Sequence, residues 1–192
     1  MKIRKRRRQG QRVAPGADTR FLILAAARAR LRDHKPIHKI KLSELAKACG
    51  VTRAAAAWHF PRGIASVGAG LAVQLWFSLY ERFRELPAPA TSDARLLQRV
   101  GGAIFDILLD EPDTTAAVQS MRWGWAKRDE GMVSEATSRV FAELEKRLPP
   151  NVDPPVVLGL AEHFFSEVRR KAMTARLAER RFIDLLQRMA GF

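Results

Sequence analysis

LSELAKACGVTRAAAAWHF, residues 42–60, decides the reading of this chain. Two short helical stretches, 42–49 and 53–60, flank Gly50-Val51-Thr52. Gly50 falls where a helix end needs a left-handed residue, and Thr52 stands where the next helix needs a cap. Leu45, Ala46 and Cys49 are small or apolar and let two helices cross closely. Val51 plugs the turn, and Ala56 and Phe60 complete the inward face of the second helix. Two short helices about a glycine-containing turn are the helix-turn-helix pattern, although ordinary helical hairpins share it. The four alanines 54–57 hold the second helix together without competing for its backbone, and their small methyls let it lie close to a surface.

Working outward, the N-terminal segment MKIRKRRRQGQR holds Lys2, Arg4, Lys5, Arg6, Arg7, Arg8 and Arg12 and no acidic residue. These seven charges are half of the formal +14 of the chain. So dense a like-charge block reads as an arm that seeks a polyanion, with counterion release from nucleic acid as the driving force. A solubilising tail or an acidic lipid surface is the alternative. Hydrophobic residues make up 47% of the 192 residues, enough for a packed core. The apolar runs are short and broken by charge, and the basic N-terminus lacks the apolar segment of a secretory signal. The lone Cys49 leaves no disulfide framework and fits a reducing bacterial cytoplasm.

No strand alternation persists, whereas 3.6-residue periodicity recurs, so an all-α fold is expected. Asp18-Thr19 starts a first helix to about residue 31, with Phe21, Leu22, Ala25, Ala29 and Leu31 inward. Residues 34–38, with Pro36, are a connector, and a longer helix covers 64–85. Pro87 to Asp93 is a composition break. Further helices are expected at 93–109, 113–128, 132–147, 155–175 and 179–190. The pattern divides the chain into a flexible arm (1–17), a unit of short helices that holds the helix-turn-helix (18–76, motif about 41–60) and a larger helical unit (77–192).

Segment 18–76 resembles the N-terminal domain of TetR-family transcriptional regulators. The likeness rests on the Ala/Leu-rich first helix, on LSELAKACGVTRAAAAWHF with its Gly-Val-Thr and His-Phe, and on the aromatic and aliphatic fourth helix. It implies a three-helix helix-turn-helix domain, joined by a fourth helix to a C-terminal ligand-binding and dimerisation bundle. It also implies that 53–60 is the recognition helix in the major groove. This chain departs from the family at three positions. Lys41 stands where a Thr usually caps the second helix, Ala57 where a Tyr grips a phosphate, and Gly63 where a Lys is common. Lys41, Trp58, His59 and Arg62 are the replacements at hand. Arg53, Ser43 and Thr52 remain as hydrogen-bonding readers, Ala54 and Ala55 can meet thymine methyls, and Arg4, Lys5, Arg6, Arg7 and Arg8 can enter a flanking minor groove.

Met121, Trp123 and Trp125 near a mid-chain break, with Phe164 and Phe165 downstream, are the expected lining of an apolar effector site; plain core packing is the alternative. The apolar positions Val157, Leu160, Phe164 and Val168, followed by Phe182, Leu185, Leu186 and Met189, are the expected dimer face. An enzyme, a cofactor and a metal site are not expected. Pro36 spoils the His34/His38 pair, and no phosphate loop or nucleophile elbow is present. The sequence therefore points to a homodimeric regulator on a palindromic double-stranded DNA operator, a repressor relieved by a small apolar ligand. The alternative is an architectural nucleic-acid-binding dimer without an effector, and third a helical module for acidic partners.

Overall fold

The computed structural model describes residues 18–86, 94–121 and 127–192. Arg4, Lys5, Arg6, Arg7, Arg8, Trp123 and Trp125 lie outside the described residues. The described chain forms nine α-helices and one short 3-10 turn, Ile37–Lys39, with no strand among the described residues. The helices are α1 (Thr19–Arg32), α2 (Leu42–Ala48), α3 (Arg53–His59), α4 (Ile64–Glu85), α5 (Ala94–Asp110), α6 (Pro112–Met121), α7 (Lys127–Glu145), α8 (Pro154–Arg169) and α9 (Ala175–Met189). No single described helix is long and apolar enough to cross a membrane.

Buried apolar side chains fall into two clusters, and α4 belongs to both. Its first half gives Val67, Ala69, Leu71 and Ala72 to a cluster with α1, α2, α3 and parts of α6 and α7. Its second half gives Leu79 and Phe83 to a cluster with α5, α7, α8 and α9. Trp76 packs against the two clusters at once. Burial of Val67, Leu71, Leu75, Leu79 and Phe83 along its length fixes this helix as the common spine, because each such side chain removed from water adds roughly 1.5–3 kcal/mol.

Of the expected inward face of α1, Leu31 is buried and Leu22 half-buried, but the rest of that face is turned outward. Ile23, Leu24, Ala27 and Leu31 are buried, whereas Phe21 is 60% exposed and Ala25 and Ala29 face outward. FLILAAA, residues 21–27, is apolar through nearly two turns, so no polar stripe sets the phase there. Tertiary contact sets it: Leu24 Cδ2 lies 3.0 Å from where a Cβ on Gly70 of α4 would be, so these helices touch through the glycine. Boundaries also differ downstream. The expected helix at 132–147 begins at Lys127, the one at 155–175 ends at Arg169, and the one at 179–190 begins at Ala175. Lys171, at φ 58°, ends α8, and Thr174 caps α9 by accepting from the Leu177 amide at 3.3 Å.

Candidate nucleic-acid interface

The α2–α3 hairpin is built as its sequence suggests. Leu45 and Ala46 are buried on α2. Gly50 takes φ 68°, a left-handed value that glycine adopts at no steric cost, and the Val51 amide returns to Ala46 O at 3.0 Å. Thr52 Oγ1 then accepts from the Ala55 amide at 3.1 Å. Cys49 Sγ donates to Leu22 O at 3.2 Å, and burial pushes its thiol up, so it packs the hairpin on α1 as an inert small side chain. Lys35 Nζ donates to Glu44 Oε2 at 2.6 Å, which ties the connector to α2. That hydrogen bond, outweighing desolvation, holds the Glu44 carboxyl below its ordinary range.

Inward orientation of Ala56 and Phe60, 0% and 1% exposed, dictates what α3 presents outward. Arg53, Ala54, Ala57, Trp58 and His59 are exposed, and Ala55 is half-buried. The four alanines therefore divide: Ala56 is core, Ala55 is shared, and Ala54 and Ala57 offer methyls to whatever α3 touches. Trp58, at 84%, is the most exposed large apolar side chain among the described residues. Lys41, Ser43, Thr52 and Arg62 are also exposed. Lys41 occupies the N-cap position of α2 without a side-chain hydrogen bond, so its ammonium is left to face outward. Gly63 has φ 62° and ψ −129°, and an added Cβ would meet nothing within 4 Å. Backbone conformation, not space, therefore demands glycine there.

One polar link has no signal in the sequence. Ser66 Oγ accepts from the Arg62 amide at 3.3 Å and donates to Asp129 Oδ2 at 3.0 Å. Ser66 and Asp129 are each 4% exposed, so the first turn of α7 is bonded, inside the protein, to the turn that follows α3. Nothing in KRDEG, where Asp129 sits among charged neighbours, distinguishes it from a solvated helix start.

Among the described residues, the expected effector residues Met121, Phe164 and Phe165 do not line one cavity. Met121 packs into the α1–α4 cluster, its Sδ filling the space that a Cβ on Gly68 would need. Phe165 is fully buried in the α5–α8–α9 core, and Phe164 is half-buried with its ring 6.2 Å from Phe182. An apolar hollow lies elsewhere, between α4, α5, α6 and α8. Leu75, Trp76, Leu79, Ile104, Leu108, Val118, Leu158 and Ala161 line it, with Thr115, Gln119 and Glu162 as polar groups. At about 20 Å³ it has room for one water.

The expected dimer face divides as well. Val157, Phe182 and Leu186 are 0–1% exposed and belong to the chain's own core, because α8 and α9 pack on α5 through them. Leu160, Phe164, Val168, Leu185 and Met189 remain half-buried beside them, and Val156 and Leu177 are exposed at 44% and 39%.

No protein-family model matches the chain, and no curated protein sequence does. Among solved structures it is similar to the crystal structure of a TetR transcriptional regulator from Rhodococcus sp. RHA1, with a TM-score of 0.62 and 20% sequence identity. The likeness covers 86% of this chain and 93% of that one. The chain has the fold of the TetR transcriptional regulators.

Proposed function

We propose that the protein is a homodimeric, sequence-specific DNA-binding transcriptional regulator of the bacterial cytoplasm, a repressor that leaves its palindromic operator when a small apolar ligand binds. The observation that carries the reading is the outer face of α3. A helix whose Ala56 and Phe60 are locked in the core turns Arg53, Ala54, Trp58 and His59 outward together. Arg53 reads guanine in the major groove, Ala54 meets thymine methyls, and Lys41, Ser43, Thr52, Trp58, His59 and Arg62 position the backbone. The basic segment with Arg4, Lys5, Arg6, Arg7 and Arg8 adds phosphate or minor-groove contact. Residues 18–76 carry the reading, and residues 77–192 carry assembly and ligand response.

Leu160, Phe164, Val168, Leu185 and Met189, with exposed Val156 and Leu177, support pairing through α8 and α9, since a two-fold dimer removes such half-buried apolar side chains from water. Pairing sets the separation of two α3 helices, which must match half-sites about 34–36 Å apart or a multiple of that. The effector site is placed in the hollow around Trp76, in preference to Met121 and Phe164. A hollow with room for one water admits a ligand only by opening. Opening it moves α4, whose first turn is bonded through Ser66 to the turn after α3. The ligand must bind the opened arrangement better, since only differential affinity shifts an equilibrium.

Selection from a random duplex library at about 0.15 M salt tests the reading. Enrichment of a two-fold symmetric motif is expected, and Arg53→Ala should relax one base position per half-site, a loss of about 1–3 kcal/mol of discrimination. Tight binding recovered only at low salt, with no motif, would overturn sequence specificity in favour of an architectural role.

A further inference from the structure

The end of the C-terminal bundle nearest α1 carries cations that α3 leaves unused. Packing fixes their place. α9 runs antiparallel to α5: Gln187 Nε2 donates to Ala94 O at 3.0 Å at one end, and Ile183 and Glu179 lie against Gly101 and Gly102 further along. Just past the other end of α5, Glu111 meets Arg28 of α1 at 2.9 Å. The start of α9 and the turn before it are therefore brought to the level of α1. Consistent with this, Arg169 shares a hollow of about 320 Å³ with His34, Lys35 and His38 of the connector.

Residues 169–181 hold six cations, Arg169, Arg170, Lys171, Arg176, Arg180 and Arg181, against one carboxylate, Glu179. All six cations are exposed. Arg170 pairs with Glu167 at 3.4 Å, an exposed contact of little strength, and the other five make no ion pair among the described residues. Such a cluster repels itself and is stabilised by an external anion. The backbone keeps one of these charges against its own preference. Lys171 and His34 are the non-glycine residues at positive φ among the described residues, both at 58°, each just beyond a helix end where glycine is the usual occupant. Six dispersed cations suit a long polyanion, not a small ion, and the connector beside Arg169 is tied through Lys35 and Glu44 to α2, which with α3 is read above as facing DNA.

We infer that the α8–α9 turn is an auxiliary phosphate-contacting surface, in which Arg170, Lys171 and Arg176 attract the sugar-phosphate backbone of the same DNA that α3 reads, independently of sequence. The inference rests on the DNA-binding reading and adds to it a contact surface outside the α2–α3 hairpin.

The test uses the full chain and the triple variant R170Q/K171Q/R176Q. Affinity for the selected operator and for a random duplex of equal length is measured from about 0.05 to 0.2 M salt, with assembly followed by sedimentation. The expected result is a shallower dependence of log K on log salt, by about 0.9 for each phosphate that is no longer neutralised, equal on the two duplexes, with base preference and assembly intact. The charge-retaining variant R170K/R176K should keep the wild-type slope. An unchanged slope in the triple variant overturns the inference and leaves the turn to another acidic partner. A fall in affinity that tracks a fall in assembly also overturns it. Wild-type protein that binds neither duplex at the lowest salt overturns the DNA-binding reading together with this one. A wild-type slope in the triple variant, beside altered base preference in Arg53→Ala, overturns this one alone.

Discussion

The hairpins formed by α2–α3 and by α8–α9 bend with the same backbone device and different residues. Each first helix ends on a left-handed residue, Gly50 at φ 68° and Lys171 at φ 58°. The next amide returns to the carbonyl five residues earlier, Val51 to Ala46 and Ala172 to Glu167, each at 3.0 Å. A threonine then caps the second helix, Thr52 at 3.1 Å and Thr174 at 3.3 Å. Glycine announces its bend in the sequence because its lack of a Cβ suits the left-handed region. Lysine does not, so residues 155–175 read as one continuous helix although the chain turns after Arg169. The same left-handed bend is thus legible in one hairpin and hidden in the other.

Removing the anchors of the two hairpins should produce the largest effects. Phe60→Ala and Phe182→Ala each delete a ring that is at most 1% exposed, and each should cost about 3–5 kcal/mol in denaturant unfolding. A loss under about 1 kcal/mol at either site would mean that its hairpin is not held by the core. The bends come next, and here the two hairpins should part. Gly50→Ala should cost about 1–2 kcal/mol by forcing a Cβ into the left-handed region. Lys171→Gly should instead raise stability by about 0.5–1 kcal/mol, because relief of that strain exceeds the added entropy of the unfolded chain. Destabilisation by Lys171→Gly would break the comparison. The smallest effects belong to the caps. Thr52→Ala should cost about 1 kcal/mol, and Thr174→Ala the same or less given its longer hydrogen bond, read as shifts in thermal midpoint.

Readability of the candidate site follows the same logic. The Gly50 bend and the Thr52 cap are visible because each rests on contacts within a few residues, and the buried Leu45, Ala46, Ala56 and Phe60 because their spacing marks one face of each short helix. The phase of α1 is not, since an unbroken apolar run lets Gly70 of α4 choose the face. Ser66 and Asp129 are 63 residues apart, and no local pattern announces their hydrogen bond. Val157, Phe182 and Leu186 carry the apolar stripe expected of a dimer face, yet the same stripe serves equally to pack α8 and α9 on α5. Periodicity reports that a face is buried and is silent about what buries it.

By itself, the sequence determined the helical class, the spacing of α2, the turn and α3, and the concentration of charge in the first twelve residues. These depend on propensity, capping and composition, which act over a few residues. Tertiary structure alone decided which side chains of α8 and α9 remain for a partner, where the apolar hollow lies, and that the α8–α9 turn stands level with α1. Those outcomes depend on helices separated by scores of residues competing to bury the same apolar surface, and only the packed chain resolves that competition.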